Sequence, residues 1–178
     1  MRRLWRGVLV ILAVILVAFV YQRLFGNETV TPRLVSSQPV ALIGGESDAP
    51  VAVGANGAIL TWFPVPDESS LPRLPLESPP KGHRVEGPML EQVRVLAAVP
   101  DALRPAIAGS YYGESGVDVE LTSGIELRFG SASQAARKWR AAAAVLADPS
   151  ITELDYVNLH APAHPGVGGS GHTLPPIP

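Results

Sequence analysis

The sequence predicts an α+β protein: a single N-terminal transmembrane helix followed by a mostly antiparallel sheet with two packed helices. Three observations predict it. Residues 7–21 (GVLVILAVILVAFVY) carry no charge and no proline. Two later segments place apolar residues at helical spacing. Around them lie short alternating apolar and polar runs, separated by glycine-containing turns. The length of 178 residues holds one ordinary domain plus extras, not two full ones.

Composition narrows the chemistry. The chain has no cysteine, which excludes a disulfide framework, a thiolate zinc site, an iron–sulfur centre and a cysteine nucleophile. The net charge of −2 gives no nucleic-acid signal. That charge is a sum of unlike parts. Arg2, Arg3 and Arg6 precede the apolar run and Arg23 follows it. From Asn27 onward ten Arg and Lys face sixteen Asp and Glu, a net of −6.

A bilayer core needs about 17–25 predominantly apolar residues in a helix. Leu4 and Trp5 extend the run on one side, and Leu24 and Phe25 on the other. Arg6 and Arg23 snorkel, keeping their charges in the interface. Trp5, Tyr21 and Phe25 stand where an aromatic belt belongs. A cleaved signal peptide is the competing reading. It requires a small-x-small site, and Ala18-Phe19-Val20 and Val20-Tyr21-Gln22 are too bulky for one. The arginine excess before the span predicts a single-pass protein of the cytoplasmic membrane, N-terminus in the cytoplasm and the rest extracytoplasmic. The expected layout is a basic N-terminus (1–6), a transmembrane helix (7–25), a linker (26–37), a β-rich domain (38–169) and a disordered tail (170–178).

Within the domain, Pro39–Gly44 reads as a strand. Val51–Val53 and Ala58–Trp62 flank Gly54-Ala55-Asn56-Gly57, a hairpin signal because Asn and Gly tolerate positive φ. Seven prolines between residues 64 and 88 exclude a helix or central strand there and predict an extended segment on the domain surface. A helix begins near Pro88, with Met89, Leu90, Val93, Leu96 and Ala97 as its apolar stripe, and ends at Pro100. Ile107–Tyr112, Val117–Leu121 and Ile125–Phe129 read as an antiparallel meander. Val117, Val119 and Leu121 face inward, and Asp118 and Glu120 face solvent. A second helix follows, with Ser131 and Gln134 as a capping box. Ala132, Ala135, Ala136, Trp139, Ala142, Ala143 and Leu146 form its buried face, with Arg137, Lys138 and Arg140 solvated. Trp62 and Trp139 are expected core anchors. Thr152–Leu159 is the last alternating run, in which Leu154, Tyr156 or Val157, and Leu159 compete for the inward face.

This series resembles the extracytoplasmic β domain of the FtsQ/DivIB cell-division proteins. The likeness rests on Pro39-Val40-Ala41, Asn56-Gly57-Ala58-Ile59-Leu60, Leu71-Pro72-Arg73-Leu74-Pro75 and the helix over 88–98. Its most specific part is GVDVELTSGIELRFGS, then a helix carrying Lys138 and ending VLADPS, then LDYVNL and a Pro/Gly-rich close. The resemblance implies a non-enzymatic, bitopic scaffold of the bacterial divisome that acts in septation. Its partners would be small coiled-coil division proteins of the FtsB/FtsL type, with no small-molecule substrate, no nucleic acid and no cofactor. One departure is large. The family places a POTRA domain of about 70 residues, the size of a small independent module, between anchor and β domain. Here residues 26–37 leave no room for it, so the resemblance does not carry over the septal localisation and upstream partners tied to that domain, and whether that localisation is lost or supplied by another protein stays open.

Enzymatic readings find little support. Gly168-Gly169-Ser170-Gly171-His172 departs from a nucleophile elbow, which needs Gly at the fifth position. His160 and His164 are separated as metal ligands on a helix would be, but Pro162 and Pro165 exclude the helix. Glu114 and Asp118 flank a turn, where solvation accounts for them. The remaining candidate is a free sheet edge at the last strand, to which an extended partner segment adds by β-augmentation. By position, the resemblance assigns that surface to Tyr156, Val157, Asn158, Leu159, His160, Ala161, Ala163 and Val167. Pro162 and Pro165 leave a second reading open, because prolines also protect an edge against aggregation. A membrane-anchored adaptor or ligand-binding protein outside division is the alternative function.

Overall fold

The structure is a computed structural model that describes residues 38–44, 49–66, 71–76, 80 and 82–175, all within one compact unit, Val35–Pro178. The expected anchor (7–25), linker (26–37) and last residues (176–178) lie outside the described residues. Among the described residues no helix is long and apolar enough to cross a membrane.

The first strands form as their residues predict. β1 (Pro39–Ile43), β2 (Val51–Gly54) and β3 (Ile59–Leu60) make an antiparallel sheet in chain order. The β2–β3 turn is closed by Gly54 N–H donating to the Ala58 carbonyl and by Ala58 N–H donating to Asn56 Oδ1, both at 2.9 Å. Gly57 alone takes the positive φ, +82°. A Cβ there would also meet Leu90 Cδ1 at 2.8 Å, so glycine serves both turn and packing.

In the proline-rich stretch, the described residues 71–76 pair as an extended segment between two sheets rather than covering the surface. Leu74 N–H donates to the Leu42 carbonyl (2.8 Å), and Leu42 N–H donates to the Pro72 carbonyl (2.9 Å). Arg73 bridges Leu42 on one side and Gly109 on the other. Residues 71–76 therefore join the first sheet to the second. The Pro72 carbonyl still accepts, so the absent proline N–H costs this pairing nothing.

Helix α1 (Gly87–Ala97) has Pro88 in its first turn and buries Gln92, Val93, Val95 and Leu96. Gln92 was not on the expected stripe. Its Oε1 accepts from Ser110 Oγ at 3.0 Å, which satisfies both buried side chains. A 3₁₀ turn (Arg104–Ala106) then leads into the meander β4 (Ile107–Gly113), β5 (Gly116–Leu121) and β6 (Glu126–Gly130). Helix α2 (Ala135–Leu146) crosses over to β7 (Glu153–Asn158), which pairs parallel with β6. A parallel neighbour needs such a crossover. β8 (Gly166–Thr173) returns antiparallel on β7 and completes the order β4-β5-β6-β7-β8.

The core lies between the sheet and the helices. Trp139 is fully buried at its centre, its ring 4.8 Å from that of Phe129 and its Nε1 donating to the Val95 carbonyl at 2.8 Å. Trp62, the other expected anchor, is 68% exposed instead. The α2 N-terminus also differs from expectation. Gln134 is its N-cap, in the left-handed region (φ 56°) and without a side-chain cap bond, so the Ser131/Gln134 box does not form. Glu91 of α1 supplies an acceptor nearby, its Oε2 taking the Ala132 N–H at 2.8 Å. Lys138, expected on the solvated face, is only 3% exposed. Its ammonium donates to the carbonyls of Phe129 (2.6 Å) and Ser131 (2.9 Å). Spacing alone put it outside; two free carbonyls where β6 ends draw it in.

Candidate functional site

The two outer strands of the five-stranded sheet end differently. β4 is met at Gly109 by the joining segment. β8 pairs with β7 and, among the described residues, with nothing on its other side. The free edge is thus β8, and β7, which the sequence offered as the edge, is paired on both flanks. The sequence reading also gave residues 170–178 to a loose tail, whereas the strand continues through Thr173. Glycines at 166, 168, 169 and 171 carry little β propensity, so composition hid this strand.

The expected partner-binding residues separate into three groups. Val157 and Leu159 are fully buried in the core, so their side chains face away from any partner. Tyr156 and Asn158 are half-buried on the opposite, helix-free face, and Asn158 Oδ1 accepts the His160 N–H at 3.0 Å. His160, Ala161 and Ala163 are exposed in the β7–β8 connection, and Val167 stands on β8 itself, 47% exposed. Pro162 and Pro165 belong to that connection and take no place in the ladder, so neither removes a donor from the edge.

The helix-free face carries a polar cluster that the sequence reading missed. Across the strands, Tyr111 stands opposite Asp118, and Asp118 opposite Arg128. In the next row Glu120 faces Glu126, which faces Tyr156. Arg128 Nε is 2.8 Å from Glu126 Oε1, and its guanidinium lies 4.0 Å over the Tyr156 ring. The Glu126 hydrogen bond raises the Arg128 pKa further. Asp118 was expected in solvent. It is 7% exposed, and its Oδ1 has no hydrogen-bond partner. Burial, then the Glu126 charge, pushes its carboxyl above the usual range, against the opposing pull of Arg128 and His160. Burial and the same two carboxylates also raise the Tyr111 phenol. Alternation put Asp118 on the correct face, but only the register shows which neighbours flank it.

The alleged elbow, Gly168–His172, is part of β8, and its glycines surround a carboxylate. Gly171 N–H donates to Asp155 Oδ1 at 2.7 Å. His172 lies with its ring against Gly124. Among the described residues no group of three His, Asp or Glu is placed to hold a metal ion.

A family model described as the C-terminal domain of cell division protein FtsQ/DivIB matches residues 42–160. That span runs from β1 through the whole meander, α2 and β7. Comparison with curated proteins finds no match.

Proposed function

Since the chain belongs to the FtsQ/DivIB family of cell-division proteins, a non-enzymatic family, we propose that it is a bitopic membrane scaffold of the division complex. On this reading residues 7–25 anchor it in the cytoplasmic membrane and the domain from residue 38 faces outward. The β8 edge then receives the extended segment of a small coiled-coil partner of the FtsB/FtsL type during septum formation. The free edge of β8 carries the reading. It is eight residues long, with no proline and no Asp, Glu, Lys or Arg between Gly166 and Thr173. Free edges are usually blunted by such residues, by short length or by a bulge. β8 departs from the ladder only at residues 169–171, and Gly166–Gly168 stay paired with β7 and, among the described residues, open on the other side. The contrast with β4, met by the joining segment at Gly109, supports the same reading. Backbone pairing would supply affinity, with Val167 and the exposed residues of the β7–β8 connection as side-chain contacts. A shared membrane raises the effective concentration of co-anchored partners, so modest edge affinity suffices.

A photo-crosslinker at Val167 of the full-length protein in its native host should trap an FtsB-like protein. Depletion should give long filaments without septa. Normal septa on depletion would refute the division role, and no product at Val167 with an intact fold would refute the edge as docking site.

A further inference from the structure

β8 has a shape that its own side chains do not explain. Leu154 pairs with His172 and Tyr156 pairs with Gly168, so the single residue Asp155 on β7 faces three residues, 169–171, on β8. A bulge of this kind bends the strand and interrupts its ladder. Glycines favour neither strand nor order, and four of the eight β8 residues are glycine. Left to itself, such a terminal strand frays.

Two side chains of β7 hold it. The Asp155 carboxylate fills the bulge. Its Oδ1 takes the Gly171 N–H, a backbone donor that the bulge removes from the regular ladder. Gly169, at φ +83°, and Gly171 both leave room for that carboxylate and none for a Cβ. On the other side of the bulge, the Tyr156 ring lies across Gly168, where a Cβ would meet the phenol oxygen at 2.7 Å. Arg128, fixed by Glu126, rests on the same ring. The strand on either side of the bulge is thereby shaped by its neighbour.

We propose that Asp155 is the positioning residue of the β8 edge: its carboxylate closes the Gly169–Gly171 bulge, keeps Gly166–Gly168 extended, and ends at Gly168 the tract on which an incoming strand can pair. The last clause rests on the docking role proposed above; the first two do not. Ordering an edge before binding reduces the conformational cost of pairing. A fixed bulge also denies a partner the far half of the strand, which sets the register of addition.

The test uses full-length protein in nanodiscs and three forms: wild type, Asp155→Leu and Asp155→Asn. Leucine keeps the approximate shape without an acceptor, and asparagine keeps an acceptor oxygen. Hydrogen exchange at residues 166–173 should run about tenfold faster in D155L, the loss of one charge-assisted bond, with other strands unchanged. D155N should restore most of the protection. Unchanged exchange in D155L, or a loss spread evenly over the sheet, overturns the proposal. A second measurement places photo-crosslinkers at Val167 and, separately, at Thr173 in cells. The partner trapped at Val167 should be absent at Thr173, and its yield should fall several-fold in D155L and return in D155N. A yield indifferent to D155L, alongside faster exchange, also overturns the positioning role. No product at Val167 in the wild type, with the exchange result as expected, instead refutes the docking reading and leaves the strand-holding role standing.

Discussion

Replacing Lys138 with methionine tests how the sheet is joined to α2. The ammonium closes the turn after β6 by donating to two carbonyls, Phe129 at 2.6 Å and Ser131 at 2.9 Å, with the side chain 3% exposed. Bonds from a charged donor contribute about 1.5–3 kcal/mol each. Against them stands the cost of taking an ammonium out of water, which is also what lowers the Lys138 pKa, opposed by Glu91. Methionine fills similar volume, recovers the desolvation cost and leaves both carbonyls without that donor. The net expected loss is about 2 kcal/mol. For a domain of this size that corresponds to a fall in Tm of about 6–8 °C by calorimetry. The neighbouring Arg137→Met, on an exposed residue, should stay within about 0.5 kcal/mol of wild type. The pH dependence gives a second check. A lysine whose folded pKa is lowered binds its proton less tightly when folded, so stability rises with pH between the folded value and the unfolded one, about 10.4. K138M should lack that alkaline rise. A K138M melting point within about 2 °C of wild type would refute the reasoning, because the buried Phe129 carbonyl and the part-buried Ser131 carbonyl would then have lost their donor without consequence.

Two further outcomes follow from the same geometry. Asp118→Asn should raise Tm at pH 7, since the folded pKa of this carboxyl is raised. Its ionised form is disfavoured in the fold, so stability falls as pH climbs from the ordinary carboxylate value through the folded one. Urea melts from pH 4 to 7 should show that decline in wild type and a flatter profile in D118N, whereas a steeper one would contradict the assignment. Glu91→Ala should cost about 1–2 kcal/mol by freeing the Ala132 N–H at the start of α2. Glu91→Gln should cost about half as much, because an acceptor oxygen remains while the pair with Arg94 is lost. Equal losses in both, read by denaturant unfolding, would give the effect to the charge rather than to the acceptor.

Periodicity made most of the elements legible. The meander, both helices and β7 stand where alternation and helical spacing put them, because those strands and helices bury a face of their own side chains. The residues that escaped the reading are held by partners distant in sequence. Lys138 goes inward for carbonyls of the β6–α2 junction, Gln92 for a hydroxyl eighteen residues away, and Asp118 is flanked by Tyr111 and Arg128 through strand register. Trp62 errs the other way, because large apolar area alone does not decide burial. The joining segment over 71–76 is also invisible to local rules: prolines read as surface, while the carbonyls between them were free to pair. The candidate edge failed for a related reason. Pro/Gly-rich composition read as a tail, and only a neighbouring strand reveals that Gly166–Thr173 completes the sheet.

That origin of β8 affects how its mutants should be read. An edge whose residues are half glycine offers a partner mainly backbone groups, so alanine substitutions along it do not sample side-chain contacts with the partner. Alanine at Gly168 runs into the Tyr156 ring, and alanine at Gly169 or Gly171 into the Asp155 carboxylate. Each would move the strand before it touched anything bound to it. A loss of binding in those variants therefore measures strand geometry. Val167 and Ser170 are exposed and are not glycine, and substitutions there can report on the partner directly. If docking is confined to Gly166–Gly168, changes at Val167 should weaken capture while changes at Ser170 leave it intact. Equal sensitivity at both would mean that the partner pairs across the bulge, and that Asp155 does not bound the docking tract.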